Sequence, residues 1–405
     1  MKLLVQKFLE TKSFGDLIKE HGVYASVSKN RRKISMNYDM LETKENDELS
    51  YDCRGLILSR ENFEEFSFVD GKLNLDCIVG NTQIIAFPMR RFFNHGQGAA
   101  FINWDDPKLY IFEKLDGSLI INYFDPFISK WCVATRGIPD ADLLMDNGLF
   151  TFRTLFEKAV QDTLNISFDT FTKSLVKEMT YCFELTTPLN RIVVNYPTYG
   201  ITLLSARYLP TLKELNPSEL AIVQMGQVPY VKAHTYTSID EIVSWVSTLN
   251  PLESEGVVVR DSNFNRIKVK NANYVAYNKL NDRLGASERN CLELILAEKD
   301  DDVVSFLPEE IAKNLQKIKI GVNKFIKEYD SLYQELYLKA NAESPGNKKT
   351  FALLINENKD LWTAPLFTIF AGKALNIRDF IAKNRKDGTW SNSFLDKILN
   401  FAKIL

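Results

Sequence analysis

The sequence predicts a mixed α+β domain over residues 1–285, followed by an all-helical domain over residues 286–405. Three observations lead to that fold class. Up to about residue 285, short apolar or alternating runs, rich in β-branched and aromatic residues, end at Gly, Pro, Asn or Asp as strands do. Helical stretches interrupt them irregularly, without the strand–helix alternation of a doubly wound sheet. Beyond residue 285 the strand-like runs stop and the spacing turns helical; Leu332 and Leu336, for example, share a stripe with Lys339.

Taken in order, strands are expected at Arg54–Leu58, Ile84–Phe87, Tyr110–Lys114, Ser118–Phe124, Tyr181–Leu185, Arg191–Tyr196, Gly200–Ala206, Gly256–Arg260 and Arg266–Lys270. A helix is expected over Asp142–Thr163, where Leu144, Leu155, Phe156 and Val160 recur at roughly helical spacing. Ser238 is an N-cap for a second, which runs through Ile242, Trp245, Val246 and Leu249. In the last domain helices are expected at Glu288–Glu298, Pro308–Ile320, Val322–Ala340, Thr350–Asn358, Leu366–Leu375, Ile377–Asn384 and Ser393–Ile404, with a loop at Ser344-Pro-Gly-Asn347. The first 35 residues receive no element and no role.

Composition narrows the function classes. Fifty Lys and Arg stand against 52 Asp and Glu, a net charge of −2, so bulk charge argues for no nucleic-acid partner and a local basic surface would be needed. There is no apolar run of about 18 residues, hence no expected membrane span or membrane partner. Lys7 and Glu10 interrupt the stretch where a signal peptide would stay apolar, which favours a soluble, cytoplasmic protein. Cys53, Cys77, Cys132, Cys182 and Cys291 are dispersed and form no C-x-x-C pair, so neither disulfides nor a zinc site are expected. His21, His95 and His234 are too scattered in sequence to suggest a metal cluster.

The most informative string is Tyr110-Ile-Phe-Glu-Lys-Leu-Asp-Gly-Ser118. Asp116-Gly117 between two β-rich runs predicts a hairpin turn. Period-two alternation places Tyr110, Phe112 and Lys114 on one face, where an ammonium in line with aromatics needs partners or a purpose. Lys114 is either an edge-strand lysine beside a turn or a nucleophile. A nucleophilic amine must be neutral, against a reference pKa of about 10.4, so cations or desolvation should be found beside it.

A second string supplies such cations. Glu255-Gly-Val-Val-Val-Arg260 is followed by Arg266-Ile-Lys-Val-Lys270, and alternation sets Arg266, Lys268 and Lys270 opposite Ile267 and Val269. This is an anion site or a basic surface hairpin with weak cross-strand ion pairs. Glu255 would bind a divalent metal or balance the lysines. Between the strings, Glu184 is a carboxylate within an apolar strand, and Tyr196 offers a ring for stacking on a base or for the core. Arg54 in Cys53-Arg-Gly-Leu56 and Arg91 in Pro88-Met-Arg-Arg-Phe-Phe-Asn94 would bind phosphate or pair with surface carboxylates.

In this order the strings resemble the motifs of the covalent nucleotidyltransferase superfamily of ligases and capping enzymes. Lys114-Leu-Asp-Gly117-Ser matches its nucleophile motif. Phe183-Glu184 with the run ending at Tyr196 matches the middle motifs, Glu255-Gly-Val-Val the fourth, and Lys268-Val-Lys270 the last. Ser118 after Asp-Gly, the Cys-Arg-Gly and Arg-Arg-Phe-Phe-Asn segments, and Thr135-Arg136-Gly137 look like the RNA ligase 1 family of T-even bacteriophages. The likeness covers residues from about 35 to 280. Arg91 and Arg136 stand where that family often has Lys, which keeps charge but exchanges a point charge for a planar fork.

The resemblance implies an adenylyltransferase domain with antiparallel sheets and an ATP-dependent RNA ligase acting on 5′-phosphate and 3′-hydroxyl ends. Lys114 would attack the α-phosphorus of ATP, while Lys268 and Lys270 neutralise charge on the α-phosphate and promote the neutral amine. Asp116 would assist, and Glu184 and Glu255 would hold the ribose and a Mg2+ ion (or Mn2+) with its water shell. Arg54, Arg91 and Arg136 would bind the triphosphate, Gly117 would lie at the cofactor, and Phe93 or Tyr196 would contact the nucleoside. It further implies RNA as partner, specifically tRNA with a broken anticodon loop, a polynucleotide kinase-phosphatase that prepares the ends, and action in a phage-infected host's cytoplasm. Lys313, Lys317, Lys324 and Lys327 recur at helical spacing as candidates for an RNA surface. The alternatives are a DNA ligase or capping-type enzyme, which would normally carry an OB-fold after the last lysine motif, and a non-catalytic RNA-binding module.

Overall fold

A computed structural model of the 405-residue chain describes all residues except 1, 40–41, 143–149, 190–191, 225, 227, 232, 237, 282–287, 297–308, 357–360, 375, 386–389 and 405. The chain divides into two compact units, residues 1–274 and 275–405. The division expected at 285 lies outside the described residues.

The first unit is α+β. Its strands are β1 Val23–Val27, β2 Lys33–Tyr38, β3 Arg54–Arg60, β4 Phe68–Val69, β5 Lys72–Leu73, β6 Thr82–Ala86, β7 Phe93–Asn94, β8 Tyr110–Glu113, β9 Ser118–Asp125, β10 Lys130–Thr135, β11 Met179–Thr186, β12 Gly200–Tyr208, β13 Lys213–Leu215, β14 Ala233–His234, β15 Gly256–Arg260 and β16 Arg266–Lys270. They form three main sheets, in the orders β1-β2-β3-β6, β10-β9-β11-β12-β13 and β14-β8-β15-β16-β7, besides the small β4–β5 hairpin. Pairing is antiparallel apart from β16 with β7.

Each sheet buries one face under helices. Val5, Leu9, Phe14 and Leu17, from helices Leu4–Leu9 and Phe14–His21, pack on Ile34, Met36, Leu56 and Leu58 of the first sheet. Its other face puts Ile57, Ile85 and Ala86 against Ile121, Tyr123 and Ala134 of the second. The second sheet turns Phe183, Leu185 and Leu203 toward Leu155, Phe156 and Val160 of helix Phe152–Leu164. The third turns Ile111, Val257, Val259, Ile267 and Val269 toward Ile242 and Val246 of helix Ile239–Thr248, which Ser238 caps as expected. The alternate residues Phe112, Val258, Lys268 and Lys270 therefore project from the opposite face.

The second unit is helical among its described residues. Its longest helix, Glu309–Glu343, carries Leu315, Val322, Phe325, Tyr329 and Leu336 into a core completed by Phe351, Trp362, Leu366 and Ile398. Buried polar groups are paired: Trp362 N donates to Tyr329 Oη at 2.7 Å and Trp390 Nε1 to Ile381 O at 2.8 Å.

Three expectations are corrected, and one segment without an expectation is structured. Asp116-Gly117 is not a hairpin turn, because β8 pairs with β14 and β15 while β9 pairs with β10 and β11, so this segment crosses between two sheets. Residues 192–196 are not a strand: Val193 N and Val194 N donate to Asp116 Oδ2, at 2.8 and 2.7 Å, instead of to a ladder. The helices expected on either side of Gly321 are one helix of 35 residues. A Cβ at Gly321 would lie 2.9 Å from Ala402 O, so this glycine serves close packing against helix Asn392–Ile404 rather than a break. Finally, residues 4–9 and 14–21 are helical, the second closed by Ser13 and Asp16, each bonding the other's backbone N–H.

Candidate active site

The crossing segment Lys114–Gly117 is held on three sides. Lys114 N donates to Gly256 O at 2.8 Å, extending the β8–β15 pairing by one residue. Asp116 is buried and accepts from Val193 N, Val194 N and Tyr274 Oη, the last at 2.5 Å, while Asp116 N donates to Tyr196 Oη at 3.1 Å. Gly117 N donates to Glu184 Oε1 at 3.0 Å, and a Cβ there would collide with Leu185 O. Only glycine lets the backbone pass this close to β11.

Lys114 emerges into a cavity of about 290 Å³, near the lower end of small-ligand sites. Lys268, Lys270 and Arg266 of β16 line it with Arg54, Arg136 and Glu184, and Phe92, Phe112, Val258 and Leu204 add apolar wall. Lys114 Nζ lies 2.5 Å from Glu255 Oε2 and Lys270 Nζ 2.7 Å from Oε1, so one buried carboxylate spans two ammoniums. Lys268 reaches neither oxygen. Burial, together with the charges of Arg54, Lys114 and Lys270, pulls its amine down to about 7 from an ordinary 10.5. Its Nζ stands 4.7 Å from the centre of the Phe92 ring, and Arg54 lies over the same ring at 5.2 Å. Arg54 Nη1 is buried without a hydrogen-bond partner, and burial lowers the guanidinium's pKa. Burial also pushes the Glu184 carboxyl up to about 7, against the opposing pull of Lys114 and the Gly117 amide.

The structure thus brings Lys114, Lys268, Lys270, Glu184, Glu255, Arg54 and Arg136 together. Asp116, Gly117 and Tyr196 sit behind Lys114 as its support and do not line the cavity. Arg91 and Phe93 line a neighbouring cavity instead, where Arg91 packs over Tyr38 and Phe93 and donates to Ser50 Oγ at 3.0 Å. Sequence reasoning assigned no role to Phe92, Phe112 or Tyr274. Phe112 carried a signal, its place on the Lys114 face; Phe92 lies in an irregular segment and carried none.

Among the described residues no three His, Cys, Asp or Glu form a metal-binding group. Glu255 is engaged by two lysines and Glu184 by an amide, a donor set too small for a protein-only cage. It does fit magnesium, which is held mainly by substrate phosphates and water with one or two carboxylates. The chemistry available is a primary amine presented to a bound phosphate whose charge the surrounding cations would balance.

No protein-family model matches the chain. It is similar to a protein of Autographa californica nuclear polyhedrosis virus described as a "Putative bifunctional polynucleotide kinase/RNA ligase", with 27% identity over 288 residues. That match takes in 67% of this chain and 37% of the viral protein's length. Among solved structures the chain is similar to an archaeal ATP-dependent RNA ligase, at 14% identity over 75% of each chain with a TM-score of 0.40. It is also similar to a variant of a Naegleria gruberi RNA ligase with ATP and Mn, at 13% identity over 43% of this chain and 52% of that one, TM-score 0.32.

Proposed function

We propose that the protein is an ATP-dependent RNA ligase of the covalent nucleotidyltransferase superfamily, joining 5′-phosphate to 3′-hydroxyl ends. The observation that carries this is the convergence of Lys114, Lys268, Lys270 and Glu184 with Arg54 and Arg136 on one cavity, with Glu255 paired to two of its lysines. The ligase name of the viral relative supports it.

Neutral Lys114 attacks the α-phosphorus of ATP. The Nζ–P bond forms, the bond from that phosphorus to the bridging oxygen breaks, and pyrophosphate leaves. The Lys114–Glu255 ion pair must open first, since a protonated amine has no lone pair to give. Lys268, Lys270 and Arg54 face the α-phosphate and stabilise the charge that builds there, while Arg54 and Arg136 hold the phosphate tail. Phe92 and Phe112 flank the nucleoside. Asp116, Gly117 and Tyr196 fix the segment from which Lys114 acts. Magnesium, with Glu184 and Glu255 as its protein ligands, would orient the phosphates and stabilise the leaving group. The 5′-phosphate of RNA then displaces Lys114 to give an RNA-adenylate, and the 3′-hydroxyl displaces AMP.

Repair of tRNA cut in its anticodon loop, within the cytoplasm of a phage-infected host, is the finer reading, by resemblance to the RNA ligase 1 family. A kinase-phosphatase would supply the ends, as the viral relative's kinase/ligase name suggests. Lys313, Lys317, Lys324 and Lys327 are the candidate tRNA contacts. No helix among the described residues is long and apolar enough to cross a membrane.

Intact mass spectrometry after incubation with ATP and Mg2+ tests the proposal. One AMP should add, at Lys114, and none to Lys114→Ala. Labelling by GTP in place of ATP would redirect the reading to a capping-type enzyme, and no adduct with either nucleotide would sink it.

A further inference from the structure

We infer that the cavity beside the Lys114 pocket seats the 5′-phosphorylated end of the RNA; the inference rests on the ligase reading above. This second cavity, about 220 Å³, is lined by Tyr51, Arg90, Arg91, Phe93, Phe101 and Phe264. Phe92 and Arg266 form walls of both cavities, so a ligand in one lies next to a ligand in the other. The second step of ligation demands this adjacency, because an oxygen of the 5′-phosphate must reach the phosphorus bound to Lys114. The O–P bond forms, the P–N bond breaks, and its electron pair returns to Lys114 Nζ.

The lining selects the ligand. It contains arginines and aromatic rings and no carboxylate, which matches an anion joined to a flat base. Arg90 bonds Asp52 Oδ1 through Nε at 2.7 Å, yet its side chain remains 52% exposed. Phe101 is 65% exposed, a large ring open for stacking. A pyrophosphate tail has no base and would leave these rings unused. An RNA end supplies both phosphate and base.

Arg90→Ala and Phe101→Ala test the assignment; the Phe101 ring is largely solvent-exposed, whereas Arg90 pairs with the buried Asp52, so the melting temperature of Arg90→Ala is measured alongside. Three quantities should be measured on the full chain: self-adenylation by ATP, transfer of AMP from the adenylated protein to a 5′-phosphorylated oligoribonucleotide, and equilibrium binding of that oligomer against its 5′-hydroxyl counterpart. Self-adenylation should stay within about twofold of wild type, while AMP transfer and the binding preference for the phosphorylated end fall about tenfold. Arg90→Lys should recover part of the loss. If self-adenylation falls in step with transfer, the cavity holds the tail of ATP and the inference is overturned. If none of the three quantities changes, the cavity is idle and the inference is equally overturned. Should wild type form no adduct at Lys114, the ligase reading fails, and the binding measurement still decides whether the cavity recognises a 5′-phosphate.

Discussion

Lys114 and Lys270 share one carboxylate: Glu255 Oε2 lies 2.5 Å from the first ammonium and Oε1 2.7 Å from the second. The carboxylate is 5% exposed and the two lysines 22% and 30%, so removing the carboxylate leaves two part-buried ammoniums without a counter-charge. Glu255→Gln leaves the cations around the cavity without this counter-charge. We predict a loss of ~1–3 kcal/mol in stability. Self-adenylation should slow at least about tenfold because the carboxylate proposed to hold magnesium at the leaving group is lost, while removal of a negative charge beside the phosphates keeps affinity for nucleotide from falling. A drop in affinity with an unchanged rate constant would contradict this division of labour.

Lys268 titrates near pH 7 in the folded protein and at about 10.5 when unfolded. Between those values the unfolded chain holds a proton that the native state lacks, so this residue's contribution to stability grows as pH rises from 7 to 10.5 and is lost as pH falls toward 7. Removing the amine in Lys268→Met should therefore raise the melting temperature most near pH 7, and the gain should shrink as pH rises. A bound phosphate restores the charged form, so binding of ATP to Lys114→Ala at pH 8 should take up part of a proton, less than one because the lowering charge of Lys114 is gone. Calorimetry in buffers of different ionisation enthalpy measures it, and uptake that persists in the double variant with Lys268→Met would assign the proton elsewhere.

Arg54 combines a buried Nη1 without a partner and a place on the cavity wall. A desolvated cation lacking its acceptor costs the resting fold what it returns only when an anion arrives. Arg54→Met should consequently leave the melting temperature unchanged or higher, while nucleotide affinity drops by at least about tenfold. Parallel loss of stability and binding would mean that Arg54 supports the sheet rather than the ligand.

What could be read from sequence was what local periodicity determines. Arg266, Lys268 and Lys270 share a face because a strand alternates, and that held through to the cavity wall. The Ser13/Asp16 capping box was equally local but went unread in a segment given no role. Asp116-Gly117 was read as a hairpin because turn chemistry does not reveal that the flanking strands join different sheets. The partners that make the crossing possible come from afar: Tyr274 is 158 residues from Asp116 and Glu184 is 67 from Gly117. Phe92 escaped notice because no repeating pattern surrounds it: neither period two nor 3.6 applies across residues 88–92.

Gly321 tests whether helix packing or helix propensity governs the second unit. In the interior of a helix, Gly→Ala ordinarily stabilises by about 1 kcal/mol. Here the added methyl would lie 2.9 Å from Ala402 O, inside van der Waals contact with the backbone of helix Asn392–Ile404. A backbone oxygen cannot swing aside as a side chain would, so the helices must part and loosen the contacts of Phe325 with Phe401. The penalty of overpacking, ~1–3 kcal/mol, then exceeds the propensity gain. Gly321→Ala should lower the melting temperature of the full chain, and a rise would show that the two helices have room to spare.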